Sequence, residues 1–216
     1  MKTILAYGDS ITYGHNPAPG GGRHAYEDRW PGALEAKLAG KARVIAEGLG
    51  GRTTVHDDWY ANADRNGARI LPTLLSSHWP LDLVIIMLGT NDLKPFHGRV
   101  ALEASYGMRR LVQIVRALAA GEGGPAPEII IVAPPVPVET NVHPEMMVHF
   151  GNNAVIEAAQ GFAEMYKRRA DEEGVKFFNA ASVAKSSPDD GIHLDAANTR
   201  AIGEGLVPLV KQVLGL

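Results

Sequence analysis

The sequence predicts an α/β domain in which a parallel five-stranded sheet lies between two layers of helices. Short β-branched and apolar runs alternate with longer amphipathic runs along the 216 residues, and segment 81–88 is almost entirely apolar. A short, uniformly apolar strand is typical of one that is buried on both faces, and parallel neighbours need helical crossovers. We therefore expect a three-layer α/β/α fold with flavodoxin-like strand order, forming a single domain over residues 1–216.

The predicted elements alternate along the chain. The strands are expected at Lys2–Tyr7, Arg43–Glu47, Leu81–Leu88, Glu128–Ala133 and Val175–Phe178. The helices are expected at Trp30–Ala39, 66–77, 100–119, 152–172 and 195–213. Pro72 and Pro208 fall inside two of these helices and should bend or interrupt them, because proline lacks the N–H that a helix interior needs.

Two loops are expected to be long, one at 121–125 and one at 136–150. The second loop contains Met146, Met147 and Phe150. Exposed apolar residues of this kind mark surfaces that another element covers. We therefore expect a lid or a subunit partner over the second loop.

Composition and charge exclude several classes of protein. The chain is 45% hydrophobic and 21% charged, which is ordinary for a globular protein and excludes a disordered one. It contains no cysteine, which excludes a disulfide scaffold, a thiol nucleophile and cysteine-ligated metals. A net charge of −3 offers no basic surface for a phosphate backbone, so we expect no nucleic-acid partner.

The apolar runs bear on location. The run that follows Met1 stops at Gly8, which is too short for a secretory signal, and no run is long enough to span a bilayer. We therefore expect a cytoplasmic protein with no membrane partner.

Chemically active side chains follow the strands at their carboxyl ends, where open parallel sheets bind their ligands. Ser10 follows the first strand, a glycine-rich turn with Gly51 follows the second, and Asn91 follows the third. Asp190 and His193 follow the last strand. Together these groups have the chemistry of a serine acyl-transfer site.

Each group meets one requirement of that chemistry. The Ser10 hydroxyl becomes nucleophilic when a base accepts its proton, and His193 can be that base, with Asp190 holding its imidazole in one tautomer. The tetrahedral intermediate carries a negative oxygen that needs fixed N–H donors. We assign Ser10, Gly51 and Asn91 to this oxyanion hole.

The same residues also have structural interpretations. Ser10 can cap the turn that begins a helix, Gly51 can provide a left-handed turn, and Asn91 can cap the next helix. His193 can be a surface histidine that precedes a helix capped by Asp195. The meeting of all four groups at one edge of the sheet favours the catalytic interpretation.

Four ordered motifs resemble those of the SGNH or GDSL-type hydrolase family. They are GDSITYG at 8–14, EGLGGRTT at 47–54, GTND at 89–92 and DGIH at 190–193. Ile11 replaces the usual leucine, and Ala46 stands where many members have asparagine. The run 81–92 is most similar to the arylesterase and acyltransferase branch of the family.

The resemblance implies the SGNH hydrolase fold, a catalytic triad of Ser10, Asp190 and His193, and no cofactor. Enzymes of this branch hydrolyse short-chain esters, such as aryl or sugar acetates, and can transfer the acyl group to alcohols or peroxide. The expected partner is thus a small ester substrate. Some members form octamers whose neighbours narrow the active-site channel, so a homo-oligomer is expected by analogy.

Candidate substrate-binding residues follow the motifs or lie in the apolar loop. They are Asp9, Tyr13, His15, Lys94, Phe96, Phe150 and Ile192. Bulky side chains close to Ser10 favour a small acyl group such as acetyl.

Two other groups of polar residues were considered for binding. His143, Glu145 and His149 carry groups that ligate metals, yet their spacing matches no familiar site, so we expect no metal. Arg52 lies beside the oxyanion loop, where it can pair with an acidic residue at 57–58 or bind substrate.

The alternative function is a non-catalytic, flavodoxin-like module that holds an anion such as phosphate at helix N-termini. Such a site does not need an aspartate-oriented base, and the negative charge of Asp190 would weaken it. The pair of Asp190 and His193 therefore favours the enzyme.

Overall fold

The central feature of the fold is a five-stranded parallel sheet. The computed structural model describes residues 1–98, 100–140 and 142–216. The strands are β1 (Lys2–Gly8), β2 (Ala42–Gly48), β3 (Leu83–Met87), β4 (Glu128–Ala133) and β5 (Lys176–Asn179). Their spatial order, β2-β1-β3-β4-β5, is the flavodoxin order, so the predicted fold class is confirmed.

Helices connect the strands and cover both faces of the sheet. They are α1 (Ser10–Tyr13), α2 (Trp30–Lys37), α3 (Gly67–His78), α4 (Ala101–Glu122), α5 (Pro144–His149), α6 (Ala154–Ala159), α7 (Phe162–Glu173) and α8 (Ala196–Leu214). The prediction of one helix over 152–172 is wrong, because two residues that are not helical separate α6 from α7. A Cβ at Gly161, one of these two residues, would lie 3.1 Å from the Cβ of Ala101 on α4, so close packing favours a residue that is poor for helix continuity.

The prolines inside α3 and α8 do not interrupt these helices, so an interruption is excluded, while a bend stays a prediction. Leu71 and Leu75 flank Pro72 in α3, and both are fully buried. Burying such a side chain contributes about 1.5–3 kcal/mol, which offsets the cost of about 3 kcal/mol for a proline in a helix interior. The apolar face thus holds the helix together across the missing hydrogen bond.

The two predicted loops differ from their expected bounds. Helix α4 continues to Glu122 and is capped by Gly123, which has a φ of +71°, so the first loop covers 123–127 and not 121–125. The segment 136–150 contains α5 and is therefore partly helical. Pro144 starts α5, where its missing N–H costs no hydrogen bond.

Two apolar clusters lie on opposite faces of the sheet. Strand β3 supplies alternate side chains to each of them, with Val84 and Ile86 on one face and Leu83 and Ile85 on the other. Residues of α3, α4 and α7 pack on the first face, and residues of α2 and α8 pack on the second. This arrangement is the predicted three-layer fold.

Helix α8 is fixed against the segment that follows β1. A Cβ at Gly203 of α8 would lie 2.3 Å from the carbonyl oxygen of Trp30, so this close approach requires glycine. The Trp30 N–H donates to Thr199 Oγ1 at 3.2 Å, and His24 Nε2 lies 2.9 Å from the Leu194 carbonyl oxygen. These contacts bring the turn that precedes α8 to the carboxyl end of β1.

Within the described ranges, no helix combines the length and the apolar content that a bilayer-spanning segment would need.

Candidate active site

Ser10 begins the four-residue helix α1 directly after β1. The cap of this helix is Asp9, whose Oδ1 accepts the N–H of Ile11 at 2.9 Å. The turn ends at Gly14, which is left-handed with a φ of +87°. The interpretation of Ser10 as a cap is therefore wrong, and its hydroxyl is free for another role.

The Ser10 hydroxyl lies 2.9 Å from His193 Nε2. On the other side of the imidazole, Nδ1 lies 2.5 Å from Asp190 Oδ2. Asp190 Oδ1 accepts the backbone N–H groups of Ile192 at 2.9 Å and His193 at 2.8 Å. Gly191, with a φ of +80°, lets the chain fold back so that the carboxylate reaches the ring three residues later.

These hydrogen bonds keep the Asp190 carboxylate charged. Burial would raise its pKa, but the hydrogen bond and positive charge of the His193 ring outweigh burial, and the pKa lies below its ordinary value. An ionised Asp190 holds a proton on Nδ1, which leaves Nε2 as the acceptor for the serine proton. Asp195 instead caps α8 by accepting the Asn198 N–H at 2.8 Å, as the sequence predicts.

Asn91 lies close to Asp9, the residue before Ser10, in a 3₁₀ turn over Thr90–Leu93 that follows β3. Its Nδ2 donates to the Arg52 carbonyl oxygen at 3.1 Å and lies 3.4 Å from Asp9 Oδ2. The second contact is long and weak. One amide hydrogen is thus held firmly, and the other can turn to an oxyanion.

Gly51 lies in the loop after β2 and has a φ of +81°. A Cβ there would lie 2.6 Å from Arg65 Nε, so both the conformation and the space favour glycine. The loop is fixed to β1 because the Leu49 N–H donates to the Gly8 carbonyl oxygen at 3.2 Å. The loop with Gly51 and the turn with Asn91 therefore meet beside Ser10.

Arg52 forms no ion pair with the described carboxylates, so of the two alternatives left open by the sequence, pairing with Asp57 or Asp58 is not observed. Its Nη1 donates to the Gly8 carbonyl oxygen at 2.8 Å and to the Glu47 carbonyl oxygen. Its guanidinium also lies over the ring of Tyr7, 4.3 Å from the centroid. Arg52 therefore fixes the loop that contains Gly51 to the ends of β1 and β2.

Lys94 follows the turn that contains Asn91 and is 3% exposed. Its Nζ lies 5.4 Å from the ring centroid of Phe150 and 5.9 Å from that of Phe96. Burial, followed by the charge of Arg65, lowers its pKa. Of these two rings, Phe96 is 46% exposed and faces solvent, whereas Phe150 is buried.

The other candidate substrate residues lie near the base or in the core. The ring of His15 is 4.2 Å from that of His193, centroid to centroid. Burial and the His193 charge lower the pKa of His15. Tyr13 faces the Arg23 guanidinium at 3.9 Å, and Ile192 is buried in the apolar cluster that also contains Phe150. Substrate contacts for these residues stay predictions.

Metal-ligating atoms meet at the triad itself. Ligand atoms of His15, Asp190 and His193 lie within 4.8 Å of one another. Both ring nitrogens of His193 are already hydrogen-bonded within the triad. His143 Nδ1 lies 3.2 Å from Glu145 Oε1, while His149 packs its ring against Phe150. The three residues considered as a metal site are thus not brought together.

Sequence analysis missed two residues, Thr54 and Asp92, that join the loop with Gly51 to the turn with Asn91. Asp92 accepts the N–H of Thr54, at 3.0 Å to Oδ2 and 3.2 Å to Oδ1, and the Thr54 hydroxyl also donates to Oδ1. Burial raises the pKa of Asp92 to about 7 and that of Asp9 to about 6. The motifs at 47–54 and 89–92 contain Thr54 and Asp92, but nothing in them shows that these side chains meet.

Comparison with protein families gives a match to the GDSL-like lipase/acylhydrolase family over residues 6–201. The chain belongs to this family. Family membership and the triad geometry together identify a carboxylic ester hydrolase, which confirms the predicted enzyme class. Among the curated proteins that were compared, none matches.

Solved structures of esterases are similar to the chain over nearly its whole length. A carbohydrate acetylesterase family member from Sinorhizobium meliloti is 49% identical, with 100% of both chains covered and a TM-score of 0.95. A putative arylesterase from Agrobacterium tumefaciens str. C58 is 52% identical, covering 99% of this chain and 100% of that one, with a TM-score of 0.91. The native aryl esterase of M. smegmatis is 40% identical with the same coverage and a TM-score of 0.92.

Proposed function

We propose that this hydrolase cleaves short-chain carboxylic esters through a covalent acyl-Ser10 intermediate. The observation that carries the proposal is the hydrogen-bonded series from Asp190 through His193 to the Ser10 hydroxyl, with contacts of 2.5 and 2.9 Å. This series has the geometry by which a base activates a serine.

In the acylation step, Ser10 Oγ attacks the ester carbonyl carbon while His193 Nε2 takes the hydroxyl proton. The ester oxygen becomes negative, and N–H groups of Ser10, Gly51 and Asn91 stabilise it. The intermediate then expels the alcohol, which takes the proton from His193. The acyl group remains on Ser10.

In the deacylation step, water takes the place of the departed alcohol. His193 removes a proton from the water as it attacks the acyl carbon, and Ser10 leaves with that proton. An alcohol or peroxide can attack in the same way, which gives acyl transfer instead of hydrolysis. The outcome depends on how well each acceptor competes with water.

Acetyl esters of aryl alcohols or sugars are the substrates that we favour. Structures named as a carbohydrate acetylesterase family member and as arylesterases support this choice. A cavity of about 400 Å³, whose walls include His15, Met146 and Asp190, opens beside the base and can receive part of the alcohol. Rates on nitrophenyl esters should peak at acetyl, and a maximum at long acyl chains would contradict this substrate class.

Nitrophenol release from p-nitrophenyl acetate tests the proposed function. Wild type should turn over, and folded Ser10→Ala should lose at least about a thousandfold in kcat. Stoichiometric labelling of Ser10 by a phosphonate ester, with no labelling of the variant, would identify the nucleophile directly. Equal, slow rates for the two folded proteins would reject the acyl-enzyme and support the anion-binding alternative.

We also propose a cytoplasmic homo-oligomer, by analogy with the octamers of this enzyme branch. Trp59 and Tyr60 are 87% and 88% exposed and adjacent in sequence, which supports a surface that another copy covers. Light scattering coupled to gel filtration should give a mass of two or more times the chain mass of 23.1 kDa. A monomer at micromolar concentration would contradict the oligomer, and cell fractionation tests the location.

A further inference from the structure

The oxyanion hole is built from two separate loops, and two buried side chains join these loops. We propose that Thr54 and Asp92 are positioning residues, which set the distance between the loop with Gly51 and the turn with Asn91. The inference rests on the proposed function for its catalytic consequence. Its structural part can be tested without any activity.

The contact between Thr54 and Asp92, which we call the loop junction, lies next to the donors of Gly51 and Asn91 in the sequence. Thr54 lies three residues after Gly51, and Asp92 directly follows Asn91. The Thr54 N–H lies 3.0 Å from Asp92 Oδ2 and 3.2 Å from Oδ1, and the hydroxyl donates to Oδ1 as well. Thr54 is 0% exposed and Asp92 is 2% exposed, so water does not replace these hydrogen bonds.

A second hydrogen bond spans the same two loops at 3.1 Å, from Asn91 Nδ2 to the Arg52 carbonyl oxygen. This bond alone leaves the turn free to pivot, because it joins the loops at one point. The contact between Thr54 and Asp92 adds a second point and removes that freedom. Two points of attachment therefore fix the orientation of the Asn91 amide.

The loop junction also packs against helix α4. A Cβ at Gly107 of α4 would lie 1.9 Å from Thr54 Oγ1, so the threonine packs directly on the backbone of α4. A movement of Thr54 would therefore displace the loop relative to a helix that the core holds in place. A misplacement of about 1 Å at a catalytic group can cost about a hundredfold in rate.

Replacing the hydroxyl without changing the shape tests the proposal. Thr54→Val keeps the packing and the backbone N–H but removes the hydroxyl donor, whereas Thr54→Ser keeps the donor and removes a methyl group. On p-nitrophenyl acetate, Thr54→Val should lower kcat about 10- to 100-fold with KM within about twofold. Thr54→Ser should stay within about threefold of wild type, and so should Thr73→Val on the exposed side of α3.

A double-mutant cycle with Asn91→Ala separates positioning from general damage. If Thr54 acts through the oxyanion donor, Thr54→Val should cost no more than about threefold in kcat once Asn91 is replaced. Full additivity of the two effects would overturn the proposal. A loss in Thr54→Ser as large as that in Thr54→Val would overturn it too, because Thr54→Ser keeps the hydroxyl donor and its activity should then be close to that of wild type.

Hydrogen exchange measured by mass spectrometry gives a readout that does not depend on catalysis. Thr54→Val should speed amide exchange in peptides that cover 48–56, while Thr54→Ser should exchange like wild type. If wild type hydrolyses no ester but the exchange differs as expected, the proposed function fails and the loop junction stands. Equal exchange in the two variants would overturn the junction whatever the activity.

Discussion

Near Ser10 lie two buried carboxyl groups whose pKa values are shifted in opposite directions. On the acid–base side, Asp190 is 3% exposed, and its pKa lies below the ordinary value. On the oxyanion side, Asp92 is 2% exposed, and burial raises its pKa to about 7. The exposed fractions are similar, but Asp92 lies deeper in the protein, so burial raises its pKa more, and the partners of the two groups also differ. Asp190 faces an imidazole that can carry positive charge, whereas Asp92 faces the neutral Thr54 and lies in the field of Asp9.

The difference suits the charges that develop during the reaction. In the proposed mechanism, His193 becomes positive, and a charged Asp190 would stabilise it. The substrate oxygen would become negative near Asn91, where a charged Asp92 would oppose it. A carboxyl group that is partly protonated at neutral pH reduces this repulsion and still holds Thr54.

Removing the charge of Asp190 should have the largest effect. Asp190→Asn keeps the shape, but its amide cannot act as the anionic acceptor that orients the ring, so kcat should fall about 10⁴-fold. Steady-state rates on p-nitrophenyl acetate measure this loss. Asp195→Asn is the matched control, because asparagine caps a helix as well as aspartate does, and it should keep full activity. A loss of less than tenfold in Asp190→Asn would show that the charge is not needed.

Removing the donor on the other side should have a smaller effect. Asn91→Ala should lower kcat by about 10²–10³-fold with little change in KM, because the missing hydrogen bond forms mainly in the transition state. Asn153→Ala removes an exposed amide far from this turn in sequence and should have no effect. A raised KM with unchanged kcat would mean that Asn91 binds the ground state instead.

The raised pKa of Asp92 should appear in the pH dependence of stability. In an unfolded chain the group titrates near 3.9, so the folded protein keeps the proton to higher pH. This contribution is fully present below pH of about 4 and is lost as pH rises through 7. Asp92→Asn mimics the protonated form, so its free energy of unfolding should fall less between pH 5 and 8 than that of wild type, by about 1–3 kcal/mol.

Urea unfolding at the two pH values measures this difference, and Asp82→Asn provides the control. Burial raises the pKa of Asp82, but the ammonium of Lys2 and the N–H of Thr3 outweigh burial, and the pKa is lowered. Its titration therefore lies below the ordinary range of an aspartate, and the variant should keep the wild-type slope between pH 5 and 8. If Asp92→Asn also kept that slope, the oxyanion side would not differ from the acid–base side as described.

The sheet could be predicted because its strands carry their own pattern. The apolar run 81–88 predicts a doubly buried strand, and the structure places β3 at Leu83–Met87, in the centre of the sheet. The continuity of α3 through Pro72 was not predicted, because it depends on tertiary burial of Leu71 and Leu75. Local sequence does not contain that information.

The candidate triad could be predicted because its residues come in short motifs at strand ends. The motifs place Ser10 and His193 at one edge of the sheet, and the structure brings the two side chains together. The junction of Thr54 with Asp92 joins residues 38 positions apart, and Arg52 binds backbone oxygens of two strands. Such partners depend on the path of each loop, which residue types alone do not determine.

The contact between Ser10 and His193 joins residues 183 positions apart. During synthesis at about 5–20 residues per second, a nascent chain therefore carries its nucleophile for many seconds before its base exists. The helix that holds the turn of His193 against β1 emerges later still. A ribosome-bound fragment that ends before residue 193 thus carries Ser10 without the residue that we propose as its base.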